Sequence, residues 1–242
     1  MKWLWTVFFV LSALLALKVF IYSFFFSEEI QATLERDPAA TSRLAVILMY
    51  PGLHAIFYHR VAHRLYGWKI PLLPRLISQM ARALTGIEIH PGAVIGKGLF
   101  IDHGMGVVIG ETSIMGNNVT LFQGVTLGGT GKEKGKRHPT LGDNVVVGTG
   151  ACVLGNIRIG DNVNIGANAV VVRDVPSNST VVGVPGRIAS RDGRKVHGIN
   201  LDHTSLPDPL AQALEKLQHE IDHIEKELKE FEHSEKHKRH ST

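Results

Sequence analysis

Residues 141–171 have the sequence LGDNVVVGTGACVLGNIRIGDNVNIGANAVV, in which an aliphatic side chain returns at every sixth position. Neither the period of a helix nor the alternation of a strand generates that spacing. The same period extends back to residue 89, in blocks of strict six-residue spacing. The lead positions are all aliphatic or Met: Ile89, Ile95, Ile101, Ile109, Met115, Leu121, Leu127, Leu141, Val147, Val153, Ile159, Ile165 and Val171.

A six-residue repeat of this kind predicts a parallel β-helix with three short strands in each coil of about 18 residues. One aliphatic side chain from each hexad fills the interior, and small residues stand where the chain turns a corner. Glycine often follows the lead residue, as this arrangement requires. Stacked coils bury a continuous core, so the repeat predicts a mainly β domain over residues 87–190.

The period breaks twice, and loops on a rigid scaffold are where functional sites are commonly built. The step between Ile101 and Ile109 is eight residues, which adds two residues to one corner. The step between Leu127 and Leu141 is fourteen residues, which inserts an eight-residue loop within GGTGKEKGKRHP (128–139). We therefore expect the chemistry of the protein at these two places.

His103 lies in the first break, directly after Asp102. A histidine held in a loop of a stiff scaffold can act as a general base near neutral pH. Glu88 lies fifteen residues earlier, and in a coil of about 18 residues that separation can bring its carboxylate near His103. A carboxylate there would orient the imidazole and stabilise its charged form. From the residues alone, a structural role for each histidine stays open.

The second break combines glycine with positive charge. Glycines allow close backbone approach, and the cations can hold a carboxylate or a phosphate. The loop therefore predicts a local anion site. Its glycines and basic residues are Gly128, Gly129, Gly131, Gly135, Lys132, Lys134, Lys136, Arg137 and His138.

The N-terminal segment, residues 1–26, is far more apolar than the rest of the chain. From Trp3 to Phe26, Lys18 is the only charged residue, and a helix of that length spans about 36 Å. That length is enough to cross the hydrocarbon core of a bilayer, so the segment predicts a membrane anchor. The alternative is a helix packed against its own trimer.

Prolines and apolar residues at helical spacing predict a small helical subdomain over residues 27–86. Residues 191–242 contain a linker, an amphipathic helix and a basic tail. A heptad seam predicts that this helix pairs with copies of itself, whereas His219 and His223, four residues apart, offer metal binding as an alternative. The seam residues are Leu210, Leu214, Leu217, Ile221, Ile224, Leu228 and Phe231.

The composition narrows the functional classes further. The formal net charge is +4 over 242 residues, and much of it lies in the long loop and the C-terminal tail, so no nucleic-acid partner is predicted. The chain contains one cysteine, Cys152. A single cysteine excludes an intrachain disulfide framework and fits a reducing compartment.

Three stretches together resemble the serine acetyltransferase family: EIHPGAVIGKGLFIDHGMGVVIGET (88–112), VTLFQGVTLGGTGKEKGKRHPTLGDNVVVGTGACVLGN (119–156) and VVGVPGRI (181–188). The helical stretches DPAA (37–40) and GLHAIFYHRVAHRLY (52–66) are also similar to that family. The resemblance implies a left-handed parallel β-helix. It also implies direct transfer of an acetyl group from acetyl-CoA to L-serine, which gives O-acetylserine for cysteine synthesis.

The resemblance assigns roles to particular residues. His103 is the general base, and Glu88, where many members have Asp, is the acid that orients it. The serine-binding residues are Asp37, Asp102, Arg137 and His138, with the guanidinium paired to the substrate carboxylate. The residues along acetyl-CoA are Gly129, Thr149 and Ala167. Acetyl-CoA is a co-substrate, and neither a metal nor a further cofactor is implied.

The resemblance also implies an assembly. Members form homotrimers or dimers of trimers with active sites between neighbouring β-helices. Members that dock onto the sulfhydrylase use a C-terminal isoleucine tail, whereas this sequence ends in Ser241-Thr242, so we do not expect that partnership. Because acetyl-CoA is found in the cytoplasm, the predicted location is cytoplasmic, with residues 3–26 anchoring the chain to the inner face of the membrane.

Three other functions are compatible with the same residues. An acetyltransferase acting on a sugar or another hydroxylated acceptor would keep His103 but give no role to Asp37 or Arg137. A zinc-dependent trimer similar to γ-carbonic anhydrases would need three converging histidines, and His103, His138 and His90 are the candidates. A non-enzymatic, membrane-tethered scaffold would tolerate replacement of His103.

Overall fold

The computed structural model describes residues 2–132 and 134–191, together with four helical residues near the C-terminus. The chain divides into two compact units, Met1–Leu206 and Pro207–Thr242. The described residues of the second unit are Gln218, Glu220, Ile221 and Ile224.

Two residues of the predicted heptad seam, Ile221 and Ile224, are therefore described, and both are helical. The other seam residues, like His219 and His223, lie outside the described residues. Self-association of this helix stays a prediction.

The described part of the first unit begins with helices, and each boundary has a local cause. Ser42 caps α3 by accepting a hydrogen bond from the Ala45 N–H, Pro51 occupies the first turn of α4, and Gly86 ends α5 in the left-handed conformation. These are common start and stop signals of helices. The helices are α1 (Lys2–Phe25), α2 (Ser27–Arg36), α3 (Arg43–Met49), α4 (Pro51–Gly67) and α5 (Leu73–Thr85).

Short strands follow, and almost all contain two or three residues. They are β1 (Glu88–Ile89), β2 (Val94–Ile95), β3 (Phe100–Ile101), β4 (Val108–Ile109), β5 (Ile114–Met115), β6 (Thr120–Leu121), β7 (Thr126–Gly128), β8 (Thr140–Leu141), β9 (Val146–Val147), β10 (Cys152–Leu154), β11 (Arg158–Ile159), β12 (Asn164–Ile165), β13 (Val170–Val171), β14 (Ser179–Val182) and β15 (Arg187–Arg191).

From β1 to β13, each strand pairs with the strand three positions later in the chain, and this produces three sheets, one of which β14 and β15 extend. Their orders are β1-β4-β7-β10-β13, β2-β5-β8-β11 and β3-β6-β9-β12-β14-β15. All pairs are parallel except β14 with β15. The chain therefore winds through three faces in turn, as the six-residue period predicts.

The interior of this coil is formed by the predicted lead residues. Each of them is at most 6% exposed, with Ile95 the most exposed of the set. Burial of a side chain of this size contributes roughly 1.5–3 kcal/mol relative to the exposed state. The predicted lead positions are thus confirmed over the whole repeat, from Ile89 to Val171.

Both predicted breaks are present. At the first, His103 and Gly104 adopt positive φ angles of 55° and 78°, so two residues protrude from a corner between β3 and β4. At the second, residues 129–139 connect β7 to β8.

The helices cap the first coil, whose carbonyl groups have no preceding coil to pair with. Ser78 donates a hydrogen bond to the Ile89 carbonyl at 2.7 Å. Arg60 donates to the carbonyls of Ile95 and Gly96 at 2.7 and 2.6 Å. Arg36 in α2 likewise donates to the Gly98 carbonyl. Unpaired buried carbonyls are costly, so these contacts fix the helices on the coil.

Helix α1 has two different parts. Its span Trp3–Phe25 is long and apolar enough to cross a membrane, with mean hydropathy 2.3. Along its last turns the helix packs against α4, where the Tyr22 and Phe57 rings stack at 5.1 Å. Length and composition also suit other roles for such a helix, so the membrane anchor stays a prediction.

The close approach of α4 to the coil depends on Gly52. A Cβ atom at this position would overlap the Ile101 carbonyl oxygen. We predict that Gly52→Ala destabilises the protein by about 1–3 kcal/mol, since an overpacked contact must shift the helix or the strand. Thermal unfolding of the purified protein measures this. Gly67→Ala is the matched control, because a Cβ there meets nothing within 4 Å; equal melting temperatures for both variants would contradict the prediction.

Candidate active site

Most of the predicted site residues lie on two edges of the prism, whereas Asp37 follows α2 and Glu88 lies in β1. The His103 edge comprises the turns at residues 102–107, 122–125, 148–151 and 166–169, which connect β3, β6, β9 and β12 to the following strands. The Arg137 edge comprises the turns at residues 90–93, 110–113, 129–139 and 155–157, which connect β1, β4, β7 and β10 to the following strands.

His103 occupies the protruding turn of its edge, and its side chain is 73% exposed. The Nε2 atom lies 3.9 Å from the Oδ2 atom of Asp102. An exposed imidazole held beside a carboxylate can accept a proton from a bound hydroxyl group. The structure thus places the Asp102 carboxylate, which the family resemblance assigns to serine binding, beside the imidazole.

Asp37 directly follows α2 and contacts Tyr50, which lies between α3 and α4. Its Oδ2 atom accepts a hydrogen bond of 2.5 Å from the Tyr50 hydroxyl, and its Oδ1 atom accepts one of 2.8 Å from the Ala39 N–H. Burial, the hydrogen bond from the Tyr50 hydroxyl to Asp37 and the negative charges of Asp37 and Asp102 raise the pKa of Tyr50 to about 12. The charge of Asp102 acts on the phenol, so Asp37, Tyr50 and Asp102 form one acidic cluster beside His103.

Glu88 has partners on α5 instead of the imidazole. Its Oε2 atom lies 3.1 Å from Arg82, and its Oε1 atom lies 4.0 Å from Arg75. Among the described residues, no hydrogen bond or ion pair joins Glu88 to His103. The orienting role of this carboxylate stays a prediction.

On the other edge, Arg137 is held by a carboxylate. Its Nη2 atom donates a hydrogen bond of 2.5 Å to Oε2 of Glu111, whose Oε1 atom accepts one from the Tyr66 hydroxyl at 3.3 Å. The hydrogen bond from Arg137 lowers the pKa of Glu111. The guanidinium is thus oriented and half-exposed, which suits recognition of a carboxylate.

His138 lies next to Arg137 but is buried. Its Nδ1 atom accepts a hydrogen bond from the Thr112 N–H at 3.2 Å, which leaves the ring proton of the neutral imidazole on Nε2. Burial and the charge of Arg137 lower the pKa of His138. Gly110 is required here, because a Cβ would overlap the imidazole ring. The residue is therefore a neutral hydrogen-bonding group.

One of the loop lysines has a structural role. The Lys136 ammonium donates hydrogen bonds of 2.7, 2.6 and 3.2 Å to the carbonyls of Thr112, His138 and Pro139. The Lys136 ammonium therefore stabilises the loop through these carbonyl groups. The sequence pattern had instead predicted that this ammonium is available to bind an anion.

The predicted acetyl-CoA residues are divided between the two edges. Thr149 and Ala167 lie on successive turns of the His103 edge, where the Asn168 N–H donates a hydrogen bond to the Thr149 carbonyl at 2.8 Å. Gly129 lies on the Arg137 edge, and a Cβ there would contact Arg137 and His138 at 3.1 to 3.2 Å.

Most of the predicted serine-binding and catalytic residues thus fall into two separate groups, which we call half-sites. Asp37, Asp102 and His103 form one, and Arg137 and His138 form the other. His90 also lies on the Arg137 edge, apart from His103. Within the part of the chain that the structure describes, no group of three His, Cys, Asp or Glu side chains is placed to hold a metal ion.

Sequence reasoning missed three residues that organise these half-sites. They are Tyr50, Glu111 and Thr112. Glu111 and Thr112 belong to the triplet GET (110–112), directly after a predicted strand. A single carboxylate at such a position does not by itself indicate a functional residue. Tyr50, which precedes Pro51, also has no distinctive sequence context. Its role becomes visible only from its hydrogen bond to Asp37 in the folded chain.

Comparisons with known proteins identify the family to which the chain is similar. The family model described as bacterial transferase hexapeptide (six repeats) matches residues 138–173. The serine acetyltransferase of Bacillus subtilis is 58% identical over 203 residues, which are 84% of this chain and 93% of the relative. The serine acetyltransferase of Synechococcus elongatus is 57% identical over 80% of this chain and 79% of its own.

Solved structures of the same family are also similar. The crystal structure of the Neisseria gonorrhoeae serine acetyltransferase has a TM-score of 0.68 and 44% identity, and the match covers 74% of this chain and 68% of that chain. The same enzyme in complex with serine matches with a TM-score of 0.65 and 46% identity over 67% and 66% of the two chains.

Fold and repeat define a transferase of the hexapeptide-repeat class. At more than half identity over most of both sequences, the chain belongs to the serine acetyltransferase family.

Proposed function

We propose that the protein transfers the acetyl group of acetyl-CoA to the hydroxyl group of L-serine, with O-acetylserine and CoA as products. The observation that carries this proposal is the exposed imidazole of His103 beside the acidic cluster of Asp37 and Asp102. A small amino acid offers the ammonium group that such a cluster would hold and the hydroxyl group that a general base would deprotonate.

The proposed reaction is a direct displacement. The His103 imidazole takes the hydroxyl proton of serine while the serine oxygen forms a bond to the thioester carbon. The tetrahedral intermediate collapses with cleavage of the carbon–sulfur bond, and the imidazolium returns its proton to the leaving thiolate. The thioester is already an activated acyl donor, so we propose that no metal and no further cofactor is required.

The two half-sites suit the two charges of serine. Asp37 and Asp102 would hold the ammonium group, and Arg137, oriented by Glu111, would pair with the carboxylate. The neutral His138 would donate a hydrogen bond from Nε2 without adding charge. Glu88 would orient His103 after exchanging its arginine partners on α5.

Acetyl-CoA would lie along the His103 edge. Thr149 and Ala167 continue the column of turns that begins at His103, so the pantetheine arm would run over them while the thioester stays near the imidazole. Gly129 of a neighbouring chain would approach the same acetyl-CoA from the opposite edge, and its lack of a side chain leaves room.

We further propose that three chains assemble with the His103 edge of one against the Arg137 edge of the next. This homotrimer, alone or as a dimer of trimers, would complete each site from two chains. Symmetric closed assembly makes all three contacts equivalent. The C-terminal amphipathic helix over the predicted seam would add a second contact between copies.

We also propose left-handed winding of the coils, as the family resemblance implies; an experimental structure with right-handed coils would contradict it.

The first test is CoA release from acetyl-CoA with L-serine. We expect His103→Ala to lower kcat about 10²–10⁴-fold, because the general base is lost. His90→Asn tests the zinc alternative: the proposed transfer gives the His90 ring no role, so turnover should persist, whereas a zinc site that includes His90 would fail. Turnover with a sugar but not with serine would overturn the substrate, and an undiminished His103→Ala rate would overturn the base.

Shared sites predict complementation between two inactive variants. When His103→Ala and Arg137→Ala chains are co-expressed, about a quarter of the sites in random trimers contain both intact halves. We therefore expect serine-dependent turnover to return in the mixture. Mixing His103→Ala with Asp37→Ala is the matched control, because both changes damage the same half-site. Restoration in the control, or none in the first mixture, would contradict a site between chains.

We propose a cytoplasmic catalytic part that is anchored to the inner face of the membrane by residues 3–26. Residues 27–86 would form a positioning subdomain, 87–190 the catalytic coil, and 191–242 the self-association segment. After cell lysis and alkaline carbonate washing, the full-length chain should remain in the membrane pellet. Recovery in the supernatant would show that α1 is not inserted.

A further inference from the structure

A cavity of about 530 Å³ lies where α1 passes into α2, alongside α4. This volume is typical of sites for small molecules. Its lining combines apolar and charged side chains. Phe24, Phe25 and Val61 are among the apolar ones, and the charged ones are Glu28, Glu29, Arg60, Arg64 and Lys97.

Two of the three cations already have carboxylate partners. Lys97 forms an ion pair of 2.7 Å with Glu28. Arg60 lies 3.6 Å from Glu29 and is also committed to carbonyl groups of the first coil. Among the described residues, the Arg64 guanidinium has neither a hydrogen bond nor an ion pair. The cavity therefore presents one uncompensated guanidinium next to aromatic rings.

The position of the cavity along α1 decides what can enter it. From Lys18 onward α1 lies against α4, with the Lys18 ammonium 3.4 Å from Nε2 of His54. About twenty residues of helix cross the hydrocarbon core of a bilayer, so an α1 that is inserted from Trp3 leaves the core close to Tyr22. The cavity then lies at the level of the lipid headgroups.

The exposed aromatic residues at this level support the same placement. Phe24 and Phe25 are 69% and 62% exposed, although they follow directly on the stacked contacts of Tyr22. Apolar rings beside an unpaired guanidinium match an amphiphile with one negative charge. Arg binds phosphate through paired N–H groups, and a zwitterionic lipid headgroup would bring a cation that Arg64 repels.

We propose that this cavity binds an anionic phospholipid of the membrane that α1 enters. The phosphate lies on Arg64, and an acyl chain follows Phe24 and Phe25 toward the bilayer. The proposal rests on the membrane anchor proposed above, and it is independent of acetyl transfer. It gives the catalytic part a preferred lipid and a fixed side toward the membrane.

The test compares two lipids on the full-length protein. The chain is purified in detergent, mixed with phosphatidylglycerol or phosphatidylcholine, and examined by native mass spectrometry for retained lipid. We expect several-fold higher retention of phosphatidylglycerol, and Arg64→Gln should lower it to the level of phosphatidylcholine. Arg173→Gln removes an exposed guanidinium from the distant coil and should behave as the wild type.

Two results would overturn the lipid site: equal retention of both lipids by the wild type, or unchanged phosphatidylglycerol retention in Arg64→Gln. Serine-dependent CoA release of Arg64→Gln, which should equal the wild-type rate, shows whether that variant is folded. A chain that leaves the membrane on carbonate washing contradicts the anchor, and a chain without serine turnover contradicts the enzyme. Each failure therefore has its own measurement.

Discussion

One inward side chain per hexad must fit a narrow prism, and this constraint sets the backbone path from Ile89 to Val171. An aliphatic residue at each lead position is buried between the residues of the coils above and below, so neither a larger nor a polar side chain fits. The corners carry no such requirement. Extra residues are therefore tolerated only at the edges, where both the turn that carries His103 and the loop at residues 129–139 lie.

The helices contribute to the site through their role at the end of the coil. The carbonyl groups of the first coil need donors, and Arg36, Arg60 and Ser78 supply them from three different helices. The Arg36 contacts hold the end of α2 on the coil, and Asp37 follows Arg36 directly and accepts a hydrogen bond from Tyr50. The acidic half-site therefore depends on hydrogen bonds that satisfy the backbone.

The repeat and its two breaks could be predicted from the sequence because a period is a local property of the chain. His103 and Asp102 could be placed for the same reason. Glu111 and Tyr50 could not, since their roles arise from contacts with Arg137 and Asp37 that depend on how distant segments pack. The two arginine partners of Glu88 on α5 likewise follow from the docking of a helix and leave no trace in residue spacing.

The capped first coil has a consequence for solubility. A stack of parallel coils ends in a row of unpaired backbone groups, and an open row of this kind is a template on which further chains can add. At the first coil, Arg60 and Ser78 occupy the acceptors that an incoming strand would need. At the far end, β15 runs antiparallel to β14, so the terminal strand of that sheet has the wrong direction for another coil. Addition of a further coil is therefore opposed at the first coil and, at the far end, in the sheet that ends in β15.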